Sequence, residues 1–180
     1  MKRFLMIFLC SLALDAAPSK LFSFYQAGEY AKACNEGIRH LETHKKDEKY
    51  ILLYAFSCLQ ADKIDRLALP IIMLKRSKEA RQNAAYFSVI LMQKNLLKNA
   101  LENHQSLYGL NVPTTDHILS RVFDLYSRLK TVGTKTPVVL KDPKKRGKSY
   151  KIYLKKRSSY PLLVIEEYYD TMMRKRHTFR

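Results

Sequence analysis

The fold is decided by the stretch Phe24-Tyr25-Gln26-Ala27-Gly28-Glu29-Tyr30-Ala31-Lys32-Ala33. In it an aromatic helix end is followed by a glycine turn, and a new helix opens on a tyrosine with an alanine three residues later. Adding 34 to positions 27, 30 and 33 reaches Ala61, Ile64 and Leu67, so the pattern recurs. One helical hairpin cannot cover its own apolar faces, and a repeated hairpin therefore predicts a stack.

Two further copies of this unit follow, one over residues 47–78 and one over about residues 84–107. In their predicted helices the apolar residues recur at the spacing of one buried helix face. The buried residues predicted for the second copy are Ile51, Tyr54, Ala55 and Cys58, then Ile64, Leu67, Ile71 and Leu74. Those predicted for the third copy are Ala84, Phe87, Ser88 and Leu91, then Leu97, Ala100 and Leu107.

This pattern resembles the tetratricopeptide repeat, with the small Ala55 where that family needs two helices to approach closely. Two departures stand out: Asp62 replaces the counterpart of Gly28, and Pro70 falls inside a predicted helix, where it should kink it. The resemblance implies a mainly α fold of stacked antiparallel helical hairpins over residues 17–130. Another all-helical bundle is the alternative. The resemblance also implies protein–protein scaffolding, as in envelope machines such as the periplasmic parts of flagellar motors.

One more helix is predicted after the repeat, from Asp116 to Lys130. Either Thr114 or Thr115 is available as its N-cap. Its apolar face is predicted to consist of Ile118, Val122, Leu125 and Leu129.

Residues 1–16 show the three parts of a secretory signal peptide. Met1-Lys2-Arg3 is basic, Phe4–Leu14 is uncharged and apolar except at Ser11, and Ala16 offers a small residue for cleavage. The apolar run is shorter than the roughly 20 residues that a membrane-spanning helix needs. Lipidation at Cys10 and a retained N-terminal anchor are the alternatives. The pattern predicts export to the periplasm, cleavage near Ala16, and no transmembrane span in the mature chain.

Two cysteines remain after this cleavage, Cys34 and Cys58. In a stack of hairpins their helices run antiparallel about a turn near Lys45, so reflection through the turn brings the two residues close together. An even number of cysteines in an oxidising compartment permits a disulfide. Two small core thiols are the alternative.

Positive charge is concentrated in the C-terminal region, residues 131–180. The chain carries a formal charge of +17, and from Lys130 onward 15 Lys or Arg face only four acidic residues. Strands are predicted at Pro137–Leu140 and Tyr150–Lys155, with a basic turn between them. Residues 161–179 fit either a strand or a helix, and a strand that enters a short helix is favoured. The region is thus predicted to be a small basic α+β appendage.

The charge predicts an anionic partner, and export directs the prediction away from nucleic acid. Tyrosine and arginine together are typical of protein interfaces, although the same tyrosines could fill a small core. We therefore predict an acidic protein partner in the cell envelope. Peripheral contact with the cell wall or a membrane surface is the alternative. The predicted partner-binding residues are Lys144, Lys145, Arg146, Lys148, Tyr150, Tyr153, Lys155, Lys156 and Arg157.

No catalytic constellation is recognisable in the sequence. Gly147-Lys148-Ser149 lacks the earlier glycine of a phosphate loop, and Ser127 with Lys130 lacks the supporting motifs of penicillin-recognising enzymes. His40 and His44 have helical spacing, but a metal site needs at least three ligands. The prediction is a binding protein with no enzyme activity, cofactor, metal or small-molecule substrate.

Overall fold

The structure is a computed structural model that describes residues 19–156 and 160–179. Within these residues the chain forms six α-helices, one short 3-10 helix at Ile64–Leu67, and one antiparallel sheet of four strands. The helices are α1 (Lys20–Gln26), α2 (Tyr30–Arg39), α3 (Glu48–Gln60), α4 (Ala68–Met73), α5 (Lys78–Glu102) and α6 (Ile118–Tyr126). The strands are β1 (Val138–Lys141), β2 (Lys148–Lys155), β3 (Leu162–Tyr169) and β4 (Met172–Phe179).

The prediction of a mainly α fold of stacked hairpins is wrong, because the chain has a mixed α+β fold. The third predicted hairpin is a single 25-residue helix, α5. Residues 92–96, where its turn would lie, contain neither glycine nor proline, so nothing there interrupts the helix. The predicted signal peptide lies outside the described residues.

The first hairpin, formed by α1 and α2, turns at Gly28. This residue has a φ of 71°, a conformation that glycine adopts without strain. Next, α2 packs antiparallel to α3, and a disulfide joins Cys34 to Cys58, whose Cα atoms are 4.8 Å apart. The two cysteines thus lie close together, as the antiparallel arrangement predicted, and of the two alternatives the structure has the disulfide.

Tyr54 on α3 packs directly against Gly37 on α2. A Cβ atom on Gly37 would lie 2.5 Å from Cδ2 of Tyr54, so only glycine fits there. The Tyr54 ring is fully buried, and its hydroxyl has no hydrogen-bond partner among the described residues. Burial raises the pKa of Tyr54 to about 12. Its hydroxyl therefore has lost water without gaining a protein partner.

Tyr54→Phe is expected to raise the free energy of unfolding by about 1 kcal/mol, because it removes a buried and unpaired polar group. The matched control is Tyr126→Phe, since the hydroxyl of Tyr126 donates to the Gln105 carbonyl at 2.9 Å. That variant should lose about 1 kcal/mol. Urea unfolding of the two variants checks this, and equal destabilisation by both would contradict it.

The second helix of the middle unit is divided into the 3-10 helix at Ile64–Leu67 and the short α4. Pro70 lies in the first turn of α4, where a missing N–H costs no intrahelical hydrogen bond. Asp62 takes the place of the turn glycine with a φ of 57°, which aspartate tolerates better than most residues. Of the four predicted apolar residues, Ile71 is half-buried and the others are buried.

The helix predicted at Asp116–Lys130 is shorter in the structure, where α6 covers Ile118–Tyr126. Its N-cap is His117, whose Nδ1 accepts the Leu119 N–H at 3.3 Å. Neither predicted threonine caps it, because the Thr115 hydroxyl contacts Ser120 Oγ at 2.8 Å instead. The predicted cap is therefore wrong.

The sheet has the strand order β1-β2-β3-β4. Both strands predicted between residues 137 and 155 are confirmed, but the short helix predicted within residues 161–179 is wrong. Asp170, with a φ of 53°, lies in a tight turn that folds β4 back on β3. This places β3 between two strands, and the first five of its side chains are buried.

The sheet packs on the helices through one face. Leu140, Tyr150, Ile152, Ile165 and Phe179 on this face belong to the same cluster of buried residues as the helical core. Helices α5 and α6 make the main helix contacts with the strands. In residues 19–156 and 160–179, no helix combines the length and the hydropathy required to cross a bilayer.

Candidate functional site

The basic turn between β1 and β2 is held against helix α6 by Asp142. The side chain of Asp142 is completely buried, and both of its oxygens accept hydrogen bonds from the Arg121 guanidinium, one of them from Nε at 2.9 Å. It also accepts the Lys144 N–H at 2.9 Å. Burial alone would raise the pKa of Asp142, but the hydrogen bonds from Arg121 and Lys144 hold it below its usual value.

A cleft of about 620 Å³ lies between this turn and α6. Lys148 pairs with Glu167 at 2.9 Å, and Arg128 with Asp124 at 2.8 Å. Lys144 and Lys145 have no carboxylate in ion-pair range among the described residues, so the cleft keeps an excess of positive charge. The charged residues that line it are Arg121, Arg128, Lys144, Lys145 and Lys148 with Asp116, Asp124 and Glu167.

The structure brings together four of the predicted partner-binding residues along the cleft: Lys144, Lys145, Lys148 and Tyr150. Tyr150, however, is only 1% exposed, so most of its ring belongs to the core. Arg146 is exposed on the same turn. Lys155 and Lys156 are exposed at the other end of β2, about 20 Å away for a strand of this length. Arg157 lies outside the described residues.

Tyr153 lies on the face of the sheet opposite the helices, where it donates to Glu166 at 3.0 Å. Tyr168 and Arg176 donate to the same carboxylate, each at 2.9 Å. Burial alone would raise the pKa of Glu166, but these three hydrogen bonds keep it below the usual value. The tyrosine hydroxyls thus stabilise a buried charge inside the sheet. The hydrogen bond between Tyr153 and Glu166 was not predicted, because it depends on the register between β2 and β3.

A second ionic cluster ties the helices to the sheet. His177 on β4 contacts Asp62 at 3.0 Å through Nδ1 and Glu167 at 3.2 Å through Nε2. Burial lowers the pKa of His177, but the two carboxylates outweigh burial and raise it. His177 and Asp62 are 115 residues apart, and no local sequence pattern signals such a contact.

No family model, curated protein or solved structure matches this chain.

The chemistry of the cleft is that of an anion-binding surface. The ammonium groups of Lys144 and Lys145 can bind carboxylate or phosphate oxygens without giving up an ion pair inside the protein. The hydroxyl of Ser120 is already bonded to Gln93 Oε1 at 2.5 Å and to Thr115. Across the described part of the chain, no group of three or more His, Cys, Asp or Glu residues is placed to hold a metal ion.

Proposed function

We propose that the protein is exported to the periplasm, with cleavage near Ala16, and acts there as an adaptor. In this proposal it binds an acidic protein partner of a cell-envelope assembly through Lys144, Lys145 and Arg146. The single observation that carries the proposal is a turn of three adjacent cations, none ion-paired within the described residues, that a buried carboxylate fixes to α6. A fixed turn presents its charges without the full entropy loss of ordering a loop.

Export is supported by the disulfide between Cys34 and Cys58. Disulfides persist in oxidising compartments and are rare in the cytosol. Outside the cytosol, the anions available for binding are acidic proteins, cell-wall polymers and lipid headgroups rather than nucleic acid. A surface that binds wall or membrane by charge alone is the competing function.

The test is photo-crosslinking in intact cells, with a photoreactive amino acid at Thr114. This residue is exposed and lines the cleft. Mass spectrometry then identifies the captured molecules. We expect one dominant protein with an acidic surface, and part of its recovery should survive about 0.5 M salt, where exposed charges are strongly screened. Recovery of only lipid or glycan would refute the adaptor function.

The variant with Lys144, Lys145 and Arg146 all changed to Glu is expected to abolish recovery of the partner, because attraction becomes repulsion. The matched control changes Lys45, Lys46 and Lys49 to Glu, which alters net charge equally at other exposed positions. That control should retain recovery. If both variants lose the partner equally, net charge and not this turn is responsible.

A further inference from the structure

Strand β4 forms a free edge of the sheet, since the order β1-β2-β3-β4 leaves its outer side without a paired strand among the described residues. Residues 172–176 are exposed, whereas His177 is held by Asp62 and Phe179 is buried. Alternate residues of an edge strand point their N–H and C=O groups outward, where another chain can pair with them. The available edge therefore spans residues 172–176, although the β3–β4 register shifts within it and leaves Arg174 without a partner on β3.

Apolar and cationic side chains lie together along this edge. Tyr169, Met172 and Met173 are 49%, 57% and 47% exposed. Arg174 and Lys175 have no carboxylate in ion-pair range among the described residues, and the Arg174 guanidinium lies over the ring of Tyr169 at 5.9 Å. An incoming strand would thus meet both apolar contact area and unpaired positive charge.

These charges discriminate between the chains that could pair with the edge. A second copy of β4 would place Arg174, Lys175 and Arg176 opposite the same cations, and like charges on paired strands repel. A segment rich in Glu or Asp would gain from the same charges. Met172 and Met173 point to opposite faces of the sheet, so apolar residues at alternate positions of that segment would contact one of the two methionines.

We propose that residues 172–176 of β4 bind an extended acidic peptide segment by adding it to the sheet as a fifth strand. Main-chain hydrogen bonds give affinity in this mode, and the flanking cations select an acidic sequence. The proposal goes beyond the adaptor function, because strand addition at β4 does not require the cations of the β1–β2 turn.

The experiment measures fluorescence anisotropy of a labelled peptide of four Glu-Val repeats with the purified full-length chain. Two further peptides carry N-methyl groups on either all Glu or all Val residues, and each therefore lacks hydrogen-bond donors along one edge. We expect the unmodified peptide to bind and at least one methylated peptide to bind about tenfold more weakly. In NMR spectra of the protein, amides of residues 172–176 should shift most.

The protein variant R174E/K175E should weaken peptide binding by about tenfold or more. The control K155E/K156E changes net charge equally at exposed residues outside β4 and should weaken binding by less than about threefold. Equal binding of all three peptides, or equal loss in both variants, would show charge attraction without strand pairing. Either of these results overturns the proposal. Binding of the protein to phosphatidylglycerol vesicles, with no binding to any of the peptides, also overturns it. None of these outcomes changes the crosslinking result expected at Thr114, so the two proposals can fail separately.

Discussion

Asp142→Ala is expected to lower the free energy of unfolding by about 3 kcal/mol, since it removes one partner of a buried ion pair. The Asp142 carboxylate is wholly buried and bonded to Arg121 and the Lys144 N–H. In the variant the guanidinium of Arg121, only 24% exposed, would keep its charge with no comparable partner. Urea unfolding measures the loss.

The control for this prediction is Asp124→Ala. Asp124 is 30% exposed and contacts both Arg121 and the 51% exposed Arg128, so its ion pairs reach solvent, unlike the Asp142 carboxylate. Such pairs contribute about 1 kcal/mol or less. Equal destabilisation by the two variants would show that burial of Asp142 has no special effect.

The same Asp142→Ala variant also separates the position of the charges from their number. It keeps all three cations of the turn and makes the chain more positive by one charge. If binding depends on charge alone, recovery of the partner should therefore stay equal or rise. If the turn must be held against α6, recovery should fall at temperatures where the variant is still folded. Crosslinking from Thr114, with circular dichroism to verify folding, decides between these outcomes.

Local patterns predicted much of the helical half of the fold. Gly28 indicated the first turn, and the spacing of Ile51, Tyr54, Ala55 and Cys58 identified the buried face of α3 correctly. The proximity of the two cysteines followed from the antiparallel arrangement of neighbouring helices, but the bond between them did not. These features depend on contacts between segments close in sequence, which a periodic pattern records.

The stacked-hairpin prediction failed in the third copy, where a turn was expected from the repeat period alone. An expected turn had no breaker residue near position 94, and the long α5 resulted. The C-terminal residues 172–176 carry cations that suit a helix end equally well, but pairing with the apolar β3 decides for a strand. Strand pairing is a tertiary effect, and intrinsic propensity does not settle it.

The sequence predicted the charged residues of the candidate site but not the contacts that hold them in position. Lys144, Lys145 and Arg146 followed from composition and the turn residues around them. The contacts that position the sheet join distant segments: Arg121 with Asp142, and Asp62 with His177. Tyr150 was assigned to the partner surface, yet it lies on the face of β2 that packs on the helices. The alternation of residues along β2 showed that Tyr150 shares a face with Ile152, but not that the helices cover that face.

Replacing both Cys34 and Cys58 with Ala is expected to lower the free energy of unfolding by about 3 kcal/mol in the chain-entropy account of a loop of this size. The cysteines are 24 residues apart, so the bond restricts the conformations of the unfolded chain. Both are fully buried in the folded protein. For a chain of this length the midpoint of thermal unfolding should fall by about 10 °C.

The control is the wild-type protein unfolded with and without a reducing agent, which should reproduce the difference without any mutation. Alkylation of the denatured, unreduced protein should leave both cysteines unmodified in peptide mapping. Identical unfolding of oxidised and reduced protein would contradict a stabilising bond. Because small domains are stable by only about 5–15 kcal/mol, a loss of this size would remove a large part of the total. The native fold would then depend on an oxidising environment, and the chain produced in a reducing cytosol should be markedly less stable than the disulfide-bonded protein.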